Sequence, residues 1–446
     1  MPRTNSRIAS EDMPSGIRPT RALSVNPGEP GTDSTDRYFE TMLRAYKAPR
    51  PREARCPGIV ARGTKSLIEE AKISARDKPP FRADHVGSLL RPPELSRARA
   101  EFKAGGRDGD ALRESEDEAI LGVIELQREA GLRSVTDGEF RRTSWHMDFI
   151  YSLGGVEQDE ASSLHVHFHS DEDEYDYNPP AMRVAEAITL PETIFASAFE
   201  FLREHAHADQ TPKLTIPSPS MVHYRGGNSS IDPAVYPDMD RFWDDLAAAY
   251  AAQIAGVYEL GCRYLQLDDT SLAYVNDPAQ RSHIVEIGGD PEHLHEQYIA
   301  NINAALADKP DDLVITTHLC RGNNQSMWAA EGGYEFVAEA LFGDLNVDGY
   351  FLEFDDERSG TFEPLRFVPE GKQVVLGLVT TKHPALESRD LLKRRIDEAG
   401  QFVDPEQLCL SPQCGFSSTE EGNKLTIDDQ RRKLELVVEV ADEVWG

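Results

Sequence analysis

A histidine and a cysteine two residues apart end one apolar, β-branched run of the sequence. The stretch TTHLCRGNN places His318 and Cys320 just before a glycine turn, and Glu353 and Cys414 end two later apolar runs. One imidazole, two thiols and one carboxylate suit tetrahedral Zn²⁺, because soft sulfur ligands disfavour Mg²⁺ and Ca²⁺. A lone His-x-Cys pair is more often two ordinary buried residues. The zinc prediction therefore depends on a fold that brings the three runs together.

The elements that would position these side chains follow a regular alternation. From about residue 79 onward, short apolar runs alternate with longer helix-like segments, which indicates a parallel sheet wrapped by helices. The predicted strands are residues 82–88, 133–139, 213–219, 263–269, 313–320, 349–355, 373–381 and 408–414. Eight β/α units favour an α/β fold of the TIM (β/α)8 barrel type over a doubly wound sheet. The polar strand ends would then converge on the barrel mouth, where active sites of such barrels lie.

An insertion follows the second predicted strand, within residues 145–210. Its runs SLHVHFHS and AMRVAEAITL alternate in polarity and predict a β-hairpin joined by the acidic stretch DEDEYDYNPP. We expect this hairpin to fold over the barrel mouth as a partial lid. His165, His167 and His169 would share one face of its first strand. We interpret them as ordinary lid residues rather than as a second metal site.

Several short motifs carry a resemblance to a known family. From about residue 80 to the C-terminus the chain contains HVGSLLRP, DGEF, LQLDD, HLCRGN, FLEFDDERSG and SPQCGFSS in this order. In these motifs the chain resembles the catalytic half of the cobalamin-independent methionine synthases, and most closely their shorter, single-barrel members. The resemblance implies a zinc-dependent methyltransferase that passes a methyl group from a methyl-folate-type donor to homocysteine and yields methionine.

The resemblance also implies roles for particular residues. The implied zinc ligands are His318, Cys320, Glu353 and Cys414. The implied substrate-binding residues, which would hold the ammonium and carboxylate of the amino-acid thiol, are Gly87, Ser88, Glu139 and Asp268. Zinc would ionise a thiol that is mostly protonated at neutral pH. From the residues alone, Asp268 could equally cap a helix, and Glu139 could pair with Arg141 or Arg142. We predict no catalytic residue beyond the zinc site.

Two departures from the family pattern concern the methyl donor. In GLVTTKH, Val379 stands where the full-length synthases carry the histidine proposed to protonate the leaving pterin. The tryptophan associated with the pterin ring has no clear match in SPSMVHYRGG, where His223 and Tyr224 are the candidates to replace it. Two other interpretations therefore stay open. The thiol could attack another electrophile such as an epoxide, or the barrel could hold a non-catalytic zinc ion.

The composition limits partners and location. With 47 Lys and Arg against 78 Asp and Glu, the formal net charge is -31, which opposes binding to nucleic acid and to anionic membranes. Five cysteines are too few for a disulfide framework and fit a reducing compartment. No apolar run approaches the roughly 20 residues that span a bilayer. We expect a cytoplasmic protein with a largely disordered extension at residues 1–77 and a catalytic barrel at residues 78–446.

Overall fold

The computed structural model of the chain describes residues 76–446 apart from 164–165, 172 and 179, and the predictions for residues 1–75, including Cys56, lie outside this part. The strands are β1 (Ser134–Val135), β2 (Gly154–Ser163), β3 (Val166–His169), β4 (Glu174–Tyr177), β5 (Pro180–Thr189), β6 (Thr211–Pro212), β7 (Leu214–Pro217), β8 (Tyr264–Asp269), β9 (Val314–Leu319), β10 (Gly349–Glu353), β11 (Gln373–Val379) and β12 (Leu408–Pro412). The α-helices are α1 (Pro93–Lys103), α2 (Gly109–Glu129), α3 (Met147–Ile150), α4 (Ala196–His205), α5 (Ser220–Tyr224), α6 (Met239–Glu259), α7 (Ser271–Tyr274), α8 (Pro278–Glu286), α9 (Leu294–Ala305), α10 (Ala338–Asp344), α11 (Arg389–Ala399) and α12 (Ile427–Trp445).

The barrel wall is a parallel sheet in the order β7-β8-β9-β10-β11-β12. It continues beyond β7, because β6 precedes β7 by one residue and pairs in parallel with β1. The predicted first strand at 82–88 is reduced to one parallel bridge between Ala83 and Leu410. The backbone N–H of Leu89 donates to Gly138 O at 3.1 Å, which joins this first segment to the loop after β1. The eight predicted wall positions and the (β/α)8 fold class are therefore confirmed.

The sequence of the wall strands explains why they lie inside. Every residue of β8, β10, β11 and β12 is buried, as expected for strands that face a filled barrel on one side and helices on the other. The last helix, α12, begins after Thr426, whose side chain accepts from the N–H of Asp429, while the Asp429 side chain accepts from the N–H of Thr426. No helix in the described part of the chain has the length and apolarity needed to cross a membrane.

The insertion contains two antiparallel pairs rather than the single predicted hairpin. Strand β3, from the first predicted run, pairs with β4, which lies in the predicted acidic connection. Strand β5, from the second run, pairs instead with β2. The predicted pairing was wrong because Gly154–Ser163 supplies a longer antiparallel partner for β5 than the four residues of β3. Strand β3 also bonds to the barrel through its bridge between His169 and Trp328.

Candidate active site

Three of the predicted zinc ligands meet at the carboxyl ends of the wall strands. His318 lies in β9, and Cys320 is the first residue after that strand. Cys414 follows β12 by two residues. One ligand atom from each side chain lies within 4.8 Å of the others, and all three residues are buried. The closed sheet thus brings together residues that are almost 100 positions apart in the chain.

The donor chemistry of this His318–Cys320–Cys414 cluster fits Zn²⁺. Among the described residues, the buried ring nitrogens of His318 have no nitrogen or oxygen hydrogen-bond partner and interact with the Cys414 sulfur, and neither cysteine forms a disulfide. An unpartnered buried imidazole is costly in an apolar site unless something binds it. The Cys320 thiol lowers the pKa of Cys414 well below its ordinary value, while Cys414 and burial raise that of Cys320. The hydrogen bond between the two sulfurs thus favours the ionised form of Cys414.

Glu353, the fourth predicted ligand, lies beside this cluster and is held by cations. Its Oε1 accepts from Arg358 Nη2 at 2.6 Å and from Lys382 Nζ at 3.2 Å. Its Oε2 accepts from the backbone N–H of Arg321 at 2.7 Å. Although burial opposes ionisation, Arg358, Lys382 and Arg321 hold the pKa of Glu353 well below its ordinary value. The carboxylate is thus ionised and next to the cluster, and its role as the fourth ligand stays a prediction.

The two predicted ammonium-binding acids line the same cavity as the cluster. Asp268 is the register partner of His318 on the adjacent strand and accepts from Gln266 Nε2 at 2.6 Å. Glu139 accepts from Thr215 Oγ1 at 2.7 Å through Oε1, while its buried Oε2 has no partner. Burial raises the pKa of Asp268 to about 7 and also raises that of Glu139. Two buried acids with spare acceptor capacity suit a cationic group of a substrate.

The alternative roles were a helix cap for Asp268 and an ion pair with an arginine for Glu139, and the structure agrees only with the second. Asp269, not Asp268, caps the next helix, because its Oδ1 accepts from the N–H of Leu272 at 3.0 Å. Glu139 does approach Arg142, with 3.6 Å between Oε1 and Nη1. Its backbone has a φ of 62°, in the left-handed region that non-glycine residues seldom adopt. Such strain at a cavity residue is typical of functional sites.

Gly87 and Ser88 lie where two loops approach closely. Gly87 has a φ of 144°, and a Cβ there would lie 2.6 Å from Thr215 Cγ2. Ser88 lines the cavity, and its carbonyl accepts from the N–H of Phe416 at 2.9 Å. A Cβ on Gly415 would lie 1.9 Å from Ser88 Oγ. The loop that carries Cys414 therefore packs directly against the predicted substrate-binding turn.

The rest of the cavity is lined by residues that are not among the predicted site residues. The lid contributes Val166, Phe168 and Tyr177, and the loop before α3 contributes Trp145 and His146. Arg225 and Tyr274 complete this side of the cavity. The stretch TSWH, two residues after the DGEF motif, was the available signal for Trp145 and His146. Its value could not be judged from sequence because the direction of the loop was unknown.

Neither candidate for the missing pterin-associated tryptophan lines the central cavity. His223 bonds to Tyr298 OH and to Asn228 Oδ1, each at 2.9 Å. The Tyr224 hydroxyl donates to Gln280 Oε1 at 3.0 Å. The aromatic rings that do line the cavity are Trp145, Phe168, Tyr177 and Tyr274.

The lid histidines form ordinary surface contacts. His167 Nδ1 lies 2.9 Å from Asp176 Oδ1, and His169 Nε2 lies 3.3 Å from Glu331 Oε1. His165 falls outside the described residues. These contacts agree with our interpretation of the histidines as lid residues.

Comparisons with known proteins place the chain among its relatives. The family described as "Cobalamin-independent synthase, Catalytic domain" matches residues 218–443. The uncharacterized protein YxjH of Bacillus subtilis is 46% identical over 375 residues, which cover 84% of this chain and 97% of the relative. A methionine synthase of Pyrococcus abyssi is 23% identical over 74% of this chain and 85% of the relative.

A solved structure gives the same result at the level of the fold. The putative vitamin-B12 independent methionine synthase of Listeria monocytogenes is similar with a TM-score of 0.66 and 39% identity. The similarity covers 82% of this chain and 98% of the Listeria chain. The resemblance predicted from the motifs is confirmed. The chain belongs to the cobalamin-independent methionine synthase family, of which it contains the catalytic domain.

Proposed function

We propose that the chain is a zinc-dependent thiol methyltransferase that transfers a methyl group from a methyl-folate-type donor to homocysteine and yields methionine. One observation carries the proposal: the His318–Cys320–Cys414 cluster opens into the same cavity as Glu139 and Asp268. A site for soft metal ligation thus adjoins two acids that suit an ammonium group. Membership of the family and the name of the Pyrococcus relative support the same reaction.

Different residues of the chain would bind the metal, bind the substrate and exclude water in this reaction. The cluster, with Glu353 as the fourth donor, would hold zinc, and a thiol bound to zinc is ionised at neutral pH. Glu139 and Asp268 would bind the substrate ammonium, while the turn at Ser88 would bind its carboxylate. Val166 and Phe168 of the lid would exclude water from the sulfur. Water exclusion strengthens every charge interaction in the cavity.

A second reaction is favoured by one feature of the donor side. Val379 ends β11, is fully buried and offers no proton to a leaving group. The same ionised thiol could therefore open an electrophile such as an epoxide. A purely structural zinc ion accounts less well for the unpartnered Oε2 of Glu139 in the cavity wall.

The metal assignment is tested with a matched pair of cysteine variants. Cys414→Ser removes a proposed ligand. Cys409→Ser changes a buried cysteine in the preceding strand, β12, outside the cluster. We expect purified wild type and Cys409→Ser to contain zinc and to methylate homocysteine. Cys414→Ser should lose most of both. Full zinc content and full activity in Cys414→Ser would disprove the ligand assignment.

The donor is tested by single-turnover assays with zinc-loaded enzyme and homocysteine. The alternatives are methyl-folates with one or several glutamates, methylcobalamin and a small epoxide. Methionine formed from a methyl-folate supports the proposed reaction. A thioether formed only from the epoxide would replace it with the second reaction.

A further inference from the structure

The loop before α3 fixes one histidine next to the loop that carries Cys414. Ser144 forms an antiparallel bridge with Thr419, and the N–H of Trp145 donates to Ser418 O at 2.9 Å. The following residue, His146, lines the central cavity. Its position is therefore determined by the same chain segment that positions a proposed zinc ligand.

The imidazole of His146 has one occupied nitrogen and one free nitrogen. Its Nδ1 lies 3.0 Å from Ser144 Oγ, and its ring stacks on Trp145 with 4.3 Å between centroids. Within the described part of the chain, Nε2 has no hydrogen-bond partner, and the residue keeps 8% of its surface accessible. When Nδ1–H donates to Ser144 Oγ, Nε2 presents a lone pair to the cavity.

The surroundings keep this ring neutral in the free protein. Burial, and then the positive charge of Arg225, lower the pKa of His146 well below its ordinary value. Arg225 lines the same cavity. A neutral imidazole with a free nitrogen can accept a proton once a bound thiolate places a negative charge beside it, because such a charge raises the pKa of the imidazole. Among the carboxylates in the cavity, Asp269 already bonds to Leu272 and Ser220, and the proposed function assigns Asp268 and Glu139 to the substrate ammonium.

We propose that His146 accepts the thiol proton of the substrate and later returns it to the leaving group of the methyl donor. In the first step the S–H bond breaks, an Nε2–H bond forms, and the sulfur keeps the electron pair. In the second step the S–CH3 bond forms as the bond between the methyl group and the donor breaks. The donor atom keeps that electron pair and takes the proton from the imidazolium. The inference rests on the proposed function and assigns the proton transfer that Val379 cannot perform.

Proton counting during homocysteine binding tests the first step without turnover. Binding enthalpies of L-homocysteine to zinc-loaded, full-length protein are measured in two buffers of different ionisation enthalpy at one pH. The difference gives the number of protons released. A thiol that binds as thiolate releases about one proton unless the protein takes it up. We expect wild type to release about one proton fewer than His146→Asn, whose amide can keep the bond to Ser144.

Two further variants and one rate complete the test. His167→Asn changes a lid histidine outside the cavity and should behave as wild type. His146→Gln provides a second removal of the base if His146→Asn does not fold. Loss of a general acid–base group should also slow methyl transfer by about 100-fold or more.

The outcomes separate this inference from the proposed function. Equal proton release from wild type and His146→Asn would overturn the role of His146 alone. Failure of zinc-loaded wild type to bind homocysteine would overturn the proposed function as well.

Discussion

Neighbouring side chains of the cavity differ in role: we expect some to bind substrate and others to stabilise the fold. Asp268 and Asp269 are neighbours, yet within the described residues the Asp268 carboxylate accepts only from Gln266, while that of Asp269 accepts from Ser220 and Leu272. We expect Asp268→Asn to weaken homocysteine binding by about 10- to 100-fold, because a charged hydrogen bond is worth about 1.5–3 kcal/mol. Asp269→Asn should instead lower the melting temperature. Calorimetric titration and thermal unfolding distinguish the two, and unchanged affinity in Asp268→Asn would remove it from the substrate site.

The contact between Gly415 and Ser88 gives a second residue-level prediction. A Cβ at Gly415 meets Ser88 Oγ at 1.9 Å, so Gly415→Ala must displace either the Cys414 loop or the substrate turn. We expect lower zinc content and a loss of about 1–3 kcal/mol of stability from overpacking. Gly343→Ala is the matched control, because a Cβ there meets nothing within 4 Å. Equal zinc content and stability in the two variants would contradict the tight contact.

Among the secondary-structure elements, the lid differs most from the wall. Strands β3 and β4 form a two-stranded ribbon, whereas β8 and β9 lie inside a six-stranded sheet. Isolated two-stranded ribbons are marginally stable, so the lid should open locally without unfolding the barrel. We expect amide hydrogens of β3 and β4 to exchange at least 100-fold faster than those of β8 and β9. Hydrogen exchange with mass spectrometry measures both, and equal protection would show that the lid opens only with the barrel.

The barrel as a whole depends on a buried polar network at the first segment. Asp84 accepts from Ser134 Oγ at 2.7 Å and from Tyr264 OH at 2.9 Å, and lies 3.5 Å from Lys213 Nζ. These bonds connect the first segment to β1, to the residue between β6 and β7, and to β8. The network thus joins the first segment and β1, which have little backbone pairing, to the well-paired strand β8.

His85, next to this network, makes the stability of the barrel sensitive to acid. Burial, and then the charge of Lys213, lower its pKa from 6.5 to about 4. In the unfolded chain His85 is protonated below about pH 6.5, whereas in the folded chain it stays neutral down to about pH 4. The free energy of unfolding therefore falls by about 3 kcal/mol as the pH is lowered through this window. His85→Leu should reduce this loss, and His293→Leu, an exposed site, should not. Urea unfolding across the window measures it, and identical pH profiles for wild type and His85→Leu would contradict the buried neutral imidazole.

The sequence by itself determined the local features of this protein. Apolar runs separated by helix-like segments fixed the order of the wall strands, because burial on both faces leaves a continuous hydrophobic pattern. The polar ends of those runs selected His318, Cys320 and Cys414, which the structure brings together. The capping residue Thr426 was also predictable, because a cap depends on neighbours three positions away.

Tertiary structure alone decided the features that join distant segments. The cations around Glu353 and the approach of Gly415 to Ser88 depend on how the loops leave their strands. The pairing of β3 with β4 and of β5 with β2 depends on which partner offers more backbone hydrogen bonds. The position of His146 beside the Cys414 loop depends on a bridge across the barrel mouth. Sequence patterns report the polarity and spacing of neighbours, and they carry no information on the direction in which a loop closes.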